Sequence, residues 1–124
     1  MDQDKVLNPN RDSVVLKMGN SQSMKILYPD MGSKRITLNY GEHPPGAEFR
    51  QHVHEESEDV IICISGSGVI RSGETRVPFG AGDIVYVPAG VVHGTINTGG
   101  EPLVMFSCQA PPDLRLYSGE KDRD

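Results

Sequence analysis

The 124-residue sequence predicts one all-β domain, an antiparallel sandwich or barrel. Three observations predict it. Short runs rich in apolar and β-branched residues recur at near-regular spacing. Fourteen glycines and nine prolines punctuate those runs. No stretch holds a 3.6-residue apolar period for three turns, so no long amphipathic helix is expected.

Residues 1–12 read as a flexible lead-in, 13–110 as the β domain, and 111–124 as a proline-led strap with the charged tail Glu120–Asp124. The first strands are expected at Val14–Met18, Met24–Tyr28 and Arg35–Tyr40. The Gly41–Gly46 stretch, with Pro44-Pro45, turns the chain into a strand over Glu48–His54. Asp59–Ser65 and Gly68–Arg71 follow, then turns at Ser72–Glu74 and Phe79–Gly82. Asp83–Val87, a turn at Pro88-Ala89-Gly90, Gly94–Asn97, a turn at Thr98–Gly100 and Leu103–Cys108 complete the domain.

Composition bounds the function. The net charge is −5, with 17 acidic and 12 basic residues. That argues against nucleic acid or an anionic membrane as the main partner and leaves a small molecule. No run approaches the ~18 apolar residues of a membrane span. The start, Met1–Lys5, lacks a basic region followed by an apolar run, so no secretory signal is expected and the location reads as cytoplasmic. Cys63 and Cys108 sit in apolar runs and read as free, buried, small hydrophobes.

The chemistry lies in the histidines. His52 and His54 are two apart, so in a strand they share a face, with Cα atoms ~6.6 Å apart. Two imidazoles at that spacing can converge on one ion. Alone, such a pair also describes two exposed strand histidines. Glu58 and Asp59 follow at once and offer a carboxylate oxygen. A third histidine, His93, enters a strand just after the Pro88-Ala89-Gly90 turn, which brings the chain back toward His52 and His54.

These two stretches resemble the two motifs of the cupin family. In the first, Gly46 is followed by five residues, His52-Val53-His54, four residues, an acid at Asp59, six residues and Gly66. In the second, Gly82 is followed by five residues, Pro88-Ala89-Gly90, two residues, His93, three residues and Asn97. The resemblance covers residues 46–97. It departs at the acid, usually a glutamate in the family. Spacing favours Asp59, and Glu58 is the alternative. Inward Asp59 takes Ile61 and Cys63 with it, and inward Glu58 takes Val60, Ile62 and Ile64. Both sets are apolar, so burial does not separate them. Three-histidine ligation, with water in the acid's place, is a further alternative.

The resemblance implies a jelly-roll barrel, usually a homodimer, holding one divalent transition metal on His52, His54, His93 and Asp59. Nitrogen and oxygen donors with open positions suit Fe, Mn, Ni, Co, Cu or Zn better than Ca or Mg. Small cupins include dioxygenases, lyases, isomerases, cyclases and sensors. The expectation is therefore a metal-dependent enzyme on a small polar molecule, with an oxygenase ahead of a redox-neutral lyase, isomerase or cyclase. A non-catalytic binding module is the third reading.

Other residues have two readings each. Arg50, two before His52, would share the metal-facing side of a regular strand and anchor an anionic substrate, or be a surface arginine. His43 reads as a solvated loop histidine. Asp83 caps the turn into its strand. Tyr86 and Met105 line a pocket or pack in the core, and Gln109–Asp113 leads the chain off the barrel.

Overall fold

A computed structural model describes residues 4–18 and 20–113 of the chain. It contains strands β1 (Val14–Met18), β2 (Ser21–Leu27), β3 (Thr37–His43), β4 (Glu58–Ser65), β5 (Ser67–Ser72), β6 (Thr75–Gly80), β7 (Ile84–Val87), β8 (Gly94–Asn97) and β9 (Leu103–Ala110). Every strand pairing among the described residues is antiparallel. One sheet runs β1-β2-β3-β9-β4-β7 and the other β6-β5-β8. The all-β antiparallel expectation stands.

Within the expected lead-in, Pro9–Asp12 form one short helix, α1. Asn8 accepts a hydrogen bond from the Asn10 amide, and Pro9 starts the turn, where its missing N–H costs nothing. The charged tail Glu120–Asp124 lies outside the described residues.

Alternation sets the inner face. On β3, Thr37, Asn39, Gly41 and His43 are buried. On β9, Leu103, Met105 and Gln109 are buried. At one end of the barrel, Ile61, Cys63, Phe79, Leu103 and Met105 pack from both sheets into the apolar core. At the other end the same strands turn polar side chains inward: Thr37, Asn39, Asp59 and Gln109 are all buried. A buried polar end requires internal partners, and those partners build the site.

Strand β6 is absent from the sequence reading, which placed Phe79–Gly80 in a turn. Pro78 argues against a central strand, but β6 is an edge of its sheet, where a residue without an N–H is tolerated. The predicted strand over Glu48–His54 is likewise no regular ladder. Two isolated bridges, Glu48 to Ile96 and His52 to His93, and single backbone bonds such as Phe49 N–H to the Thr95 carbonyl hold it.

Gly66 joins β4 to β5 at φ +84°, and a Cβ there would lie 2.4 Å from the Pro102 carbonyl oxygen. Both the conformation and the close approach require glycine.

Candidate metal centre

His52 and His93 are cross-strand neighbours. The His52 amide donates to the His93 carbonyl at 2.8 Å, and the His93 amide donates to the His52 carbonyl at 2.9 Å. The Pro88–Val91 turn makes this return possible. Val91 N–H donates to the Pro88 carbonyl, and Gly90 takes φ +83° at the turn's third position. The Gly90 amide also donates to the His54 carbonyl at 2.8 Å, tying the second motif to the first.

The side chains of His52, His54, Asp59 and His93 converge, with one ligand atom from each lying within 4.8 Å of the others. All four residues are buried. Ring centroids are 4.5 Å apart for His52 and His93, 5.1 Å for His52 and His54, and 5.4 Å for His54 and His93.

The choice between the two acids follows from β4. Asp59, Ile61 and Cys63 face inward, and Asp59 is 3% exposed. Glu58 is on the outer face, where the Tyr86 hydroxyl donates to its carboxylate.

Each of the three histidine rings of the quartet is oriented through Nδ1. His52 Nδ1–H donates to the Arg50 carbonyl at 2.8 Å, and His93 Nδ1–H to the Val91 carbonyl at 2.9 Å. His54 Nδ1 faces the buried Asp113 carboxylate at 3.4 Å. These contacts leave the three Nε2 atoms for the centre. There His54 Nε2 is buried without a hydrogen bond, 3.5 Å from Asp59 Oδ2. His93 Nε2 is 2.9 Å from the same oxygen. His93 thus faces an acceptor at each nitrogen, which an imidazolium or a cation beside Nε2 satisfies. Three imidazole nitrogens and one carboxylate oxygen around an orphaned buried nitrogen fit a transition-metal ion.

The electrostatics agree. Burial alone would raise the Asp59 carboxyl, but the His54 and His93 imidazoles beside its oxygens outweigh it and hold the group well below the usual range. Burial, with His93 adding to it, lowers His52 to about 4, so its imidazole is neutral and able to ligate at neutral pH.

Beside the quartet is a cavity of about 40 Å³. His52, Asp59 and His93 line it together with Thr95, Gln109 and Phe49. A larger cleft of about 440 Å³ lies along the edge strands β6 and β7, and His93 also lines it.

Several expectations need correcting. Arg50 is exposed and does not line the inner cavity, because the segment carrying it is irregular: Phe49 and His52 line that cavity together. His43 is not solvated. It ends β3 fully buried, with Nε2 2.8 Å from Thr95 Oγ1 and its ring edge-on to Phe49. Tyr86 lines the outer cleft and Met105 the inner cavity, so both face a pocket, although Tyr86 is exposed. Cys108 is only half-buried, because it faces outward on β9. Both cysteines are free, and burial raises both thiols. Asp83 accepts from the Gly80 amide, as expected of a turn cap.

The sequence marks none of Thr37, Asn39, Gln109 and Asp113 as part of the site, and Gln109–Asp113 reads there only as the segment leading off the barrel. No local pattern marks them, since their roles arise from pairing across strands distant in sequence.

Comparison with known proteins agrees with this geometry. The family model described as a cupin domain matches residues 39–108. A glucose-6-phosphate isomerase of Pyrococcus abyssi is 30% identical over 87 residues, covering 66% of this chain and 42% of that protein. The chain spans about half the length of the curated relatives it matches. A Klebsiella pneumoniae protein with a double-stranded β-helix domain superposes with a TM-score of 0.67 at 26% identity, covering 86% of this chain and 83% of that one. The polyketide cyclase RemF of Streptomyces resistomycificus superposes with a TM-score of 0.75 at 20% identity, covering 89% and 81%.

Proposed function

We propose that this chain, which belongs to the cupin family, is a mononuclear metal-dependent enzyme acting on a small oxygen-bearing molecule inside its barrel. The observation that carries the reading is the buried quartet His52, His54, Asp59 and His93 beside an internal cavity. The histidines would hold the ion through Nε2 and Asp59 through Oδ2. A bound ion supplies Lewis-acid polarisation of a substrate oxygen or, for a redox-active metal, access to dioxygen.

The chain's own groups set the rest. Thr95, Ser107, Ser23 and Asn39 line the cavity and offer hydrogen bonds to a polar substrate. Phe49, Ile61 and Met105 line the remainder and keep bulk water away. With Arg50 outside, orientation of the substrate falls to the hydroxyls and amides rather than to a cationic clamp.

The polar lining favours redox-neutral chemistry of the isomerase, lyase or cyclase kind. The 30% identity to a named isomerase supports the same direction. An oxygenase is the second reading, favoured by the apolar side of the cavity next to the histidines. The test is metal analysis of protein purified without chelators, followed by turnover of sugar phosphates, keto acids, diketones and phenols with and without oxygen. Undiminished anaerobic turnover supports the first reading, and strict oxygen dependence the second. Tight ligand binding without turnover would reduce the protein to a binding module.

A homodimer is the proposed assembly. Ile62, Ile64, Ile84 and Tyr86 are exposed on the outer sides of the paired strands β4 and β7, an apolar face suited to a second copy.

A further inference from the structure

The register of the large sheet places three polar side chains in one row. Gln109 on β9 is directly opposite Thr37 on β3 and directly opposite Asp59 on β4. Directly opposed residues on one face bring their side chains into contact. All three are at most 3% exposed.

The hydrogen bonds along the row have a direction. An ionised carboxylate only accepts, so Gln109 must turn its NH₂ group toward Asp59. Gln109 Nε2 donates to Asp59 Oδ1 at 2.9 Å. Its other end, Oε1, then accepts from the Thr37 hydroxyl at 2.7 Å and from Asn39 Nδ2 at 2.7 Å. Two donors thus hold the amide in the orientation that Asp59 needs. Asp59 Oδ1 is occupied, and only Oδ2 faces His54 and His93.

We propose that Gln109, held by Thr37 and Asn39, is the positioning residue of the metal centre: it occupies Oδ1 of Asp59 so that the carboxylate presents a single oxygen, Oδ2, to the ion. The inference rests on reading the quartet as a metal centre. Gln109 does this without being a ligand, and it also lines the cavity, so the arrangement holds the carboxylate still beside the substrate.

The decisive variant is Gln109→Glu. It keeps an acceptor for Thr37 and Asn39, replaces the NH₂ donor that faces Asp59 with a carboxyl oxygen, and adds a negative charge. The two explanations then differ in sign. An added negative charge acting merely as a charge tightens cation binding, whereas loss of the donor to Asp59 weakens it. Co²⁺ titration followed by visible absorption reads both affinity and ligand geometry. The expected result is an affinity loss of about 10–100-fold with an altered Co²⁺ spectrum. Thr37→Val, which touches neither the ion nor Asp59, is the second variant, with a smaller loss and a shift of the spectrum in the same direction. Circular dichroism on both variants checks that they fold.

Co²⁺ binding with wild-type affinity and spectrum in the folded variants overturns the positioning role and leaves the metal centre standing. If the wild-type chain binds Co²⁺ no better than His93→Ala, the metal centre itself fails and this inference with it.

Discussion

His52 and His93 exchange both of their backbone hydrogen bonds, at 2.8 and 2.9 Å, although they lie 41 positions apart in the sequence. This pair fixes two imidazoles from different motifs at a ring separation of 4.5 Å. A backbone clamp of this kind leaves the side chains free to be ligands, since neither ring is needed to hold the strands together.

Removing a member of the centre should therefore empty it without unfolding the barrel. His52→Ala, His54→Ala and His93→Ala should each cost more metal affinity than the roughly 10–100-fold expected for losing an outer partner. Elemental analysis of dialysed variants checks this. Full metal content in His93→Ala would sink the assignment.

The two adjacent acids should behave differently. Asp59→Ala removes an inward oxygen and also leaves Gln109 Nε2 without its acceptor. An orphaned buried donor costs about 1–3 kcal/mol, so stability should fall together with metal content. Glu58→Ala loses only an exposed contact to Tyr86 and should retain the metal. The reverse order in a metal titration would show the inward face of β4 to be the other one.

His43 should make stability depend on pH. Its folded value is lowered to about 4 from 6.5 by burial, so the unfolded chain takes up the proton more readily. Its contribution is fully present above pH 6.5 and is lost as the pH falls from 6.5 toward 4, amounting to about 3 kcal/mol over that window. Denaturant titrations of wild type and His43→Gln at pH 7 and pH 4.5 test it. The variant should lose roughly 2–3 kcal/mol less on acidification, and equal losses in both proteins would refute the role of His43.

Gly66→Ala should destabilise the fold by about 2 kcal/mol or more, since it adds both a positive-φ penalty and a clash. The Cβ would press on the Pro102 carbonyl and the Leu103 Cα, both backbone atoms that cannot rotate away. Gly46→Ala shares the positive φ, +82°, but meets nothing within 4 Å, and should cost less. Thermal melts of the two variants showing equal losses would mean that packing at Gly66 is unimportant.

If the apolar outer face of β4 and β7 joins two copies, Ile84→Lys should shift the protein toward monomer in sedimentation. Ile84 is 66% exposed in the single chain, so the substitution has little effect on the fold itself. A wild-type chain that sediments as a monomer would remove the dimer.

The sequence by itself determined most of the strands and turns, β6 and the irregular Glu48–His54 segment aside, and the three histidines, because each is a local feature. The His-x-His spacing keeps His52 and His54 within reach of one ion, and a Pro-x-Gly turn returns His93 toward them. The tertiary structure decided what depends on pairing. Both faces of β4 are apolar in sequence, so Asp59 and Glu58 were separable only once β4 lay between β7 and β9 with Asp59 inward. His43 looks like a loop residue beside Pro44-Pro45, yet β3 runs through it and Thr95 accepts it into the core. Thr37 and Gln109 are 72 residues apart and meet only through the β3–β9 register. The alternation of a strand encodes which face a side chain occupies. Which partner it meets there is set by long-range register, and no local pattern carries that information.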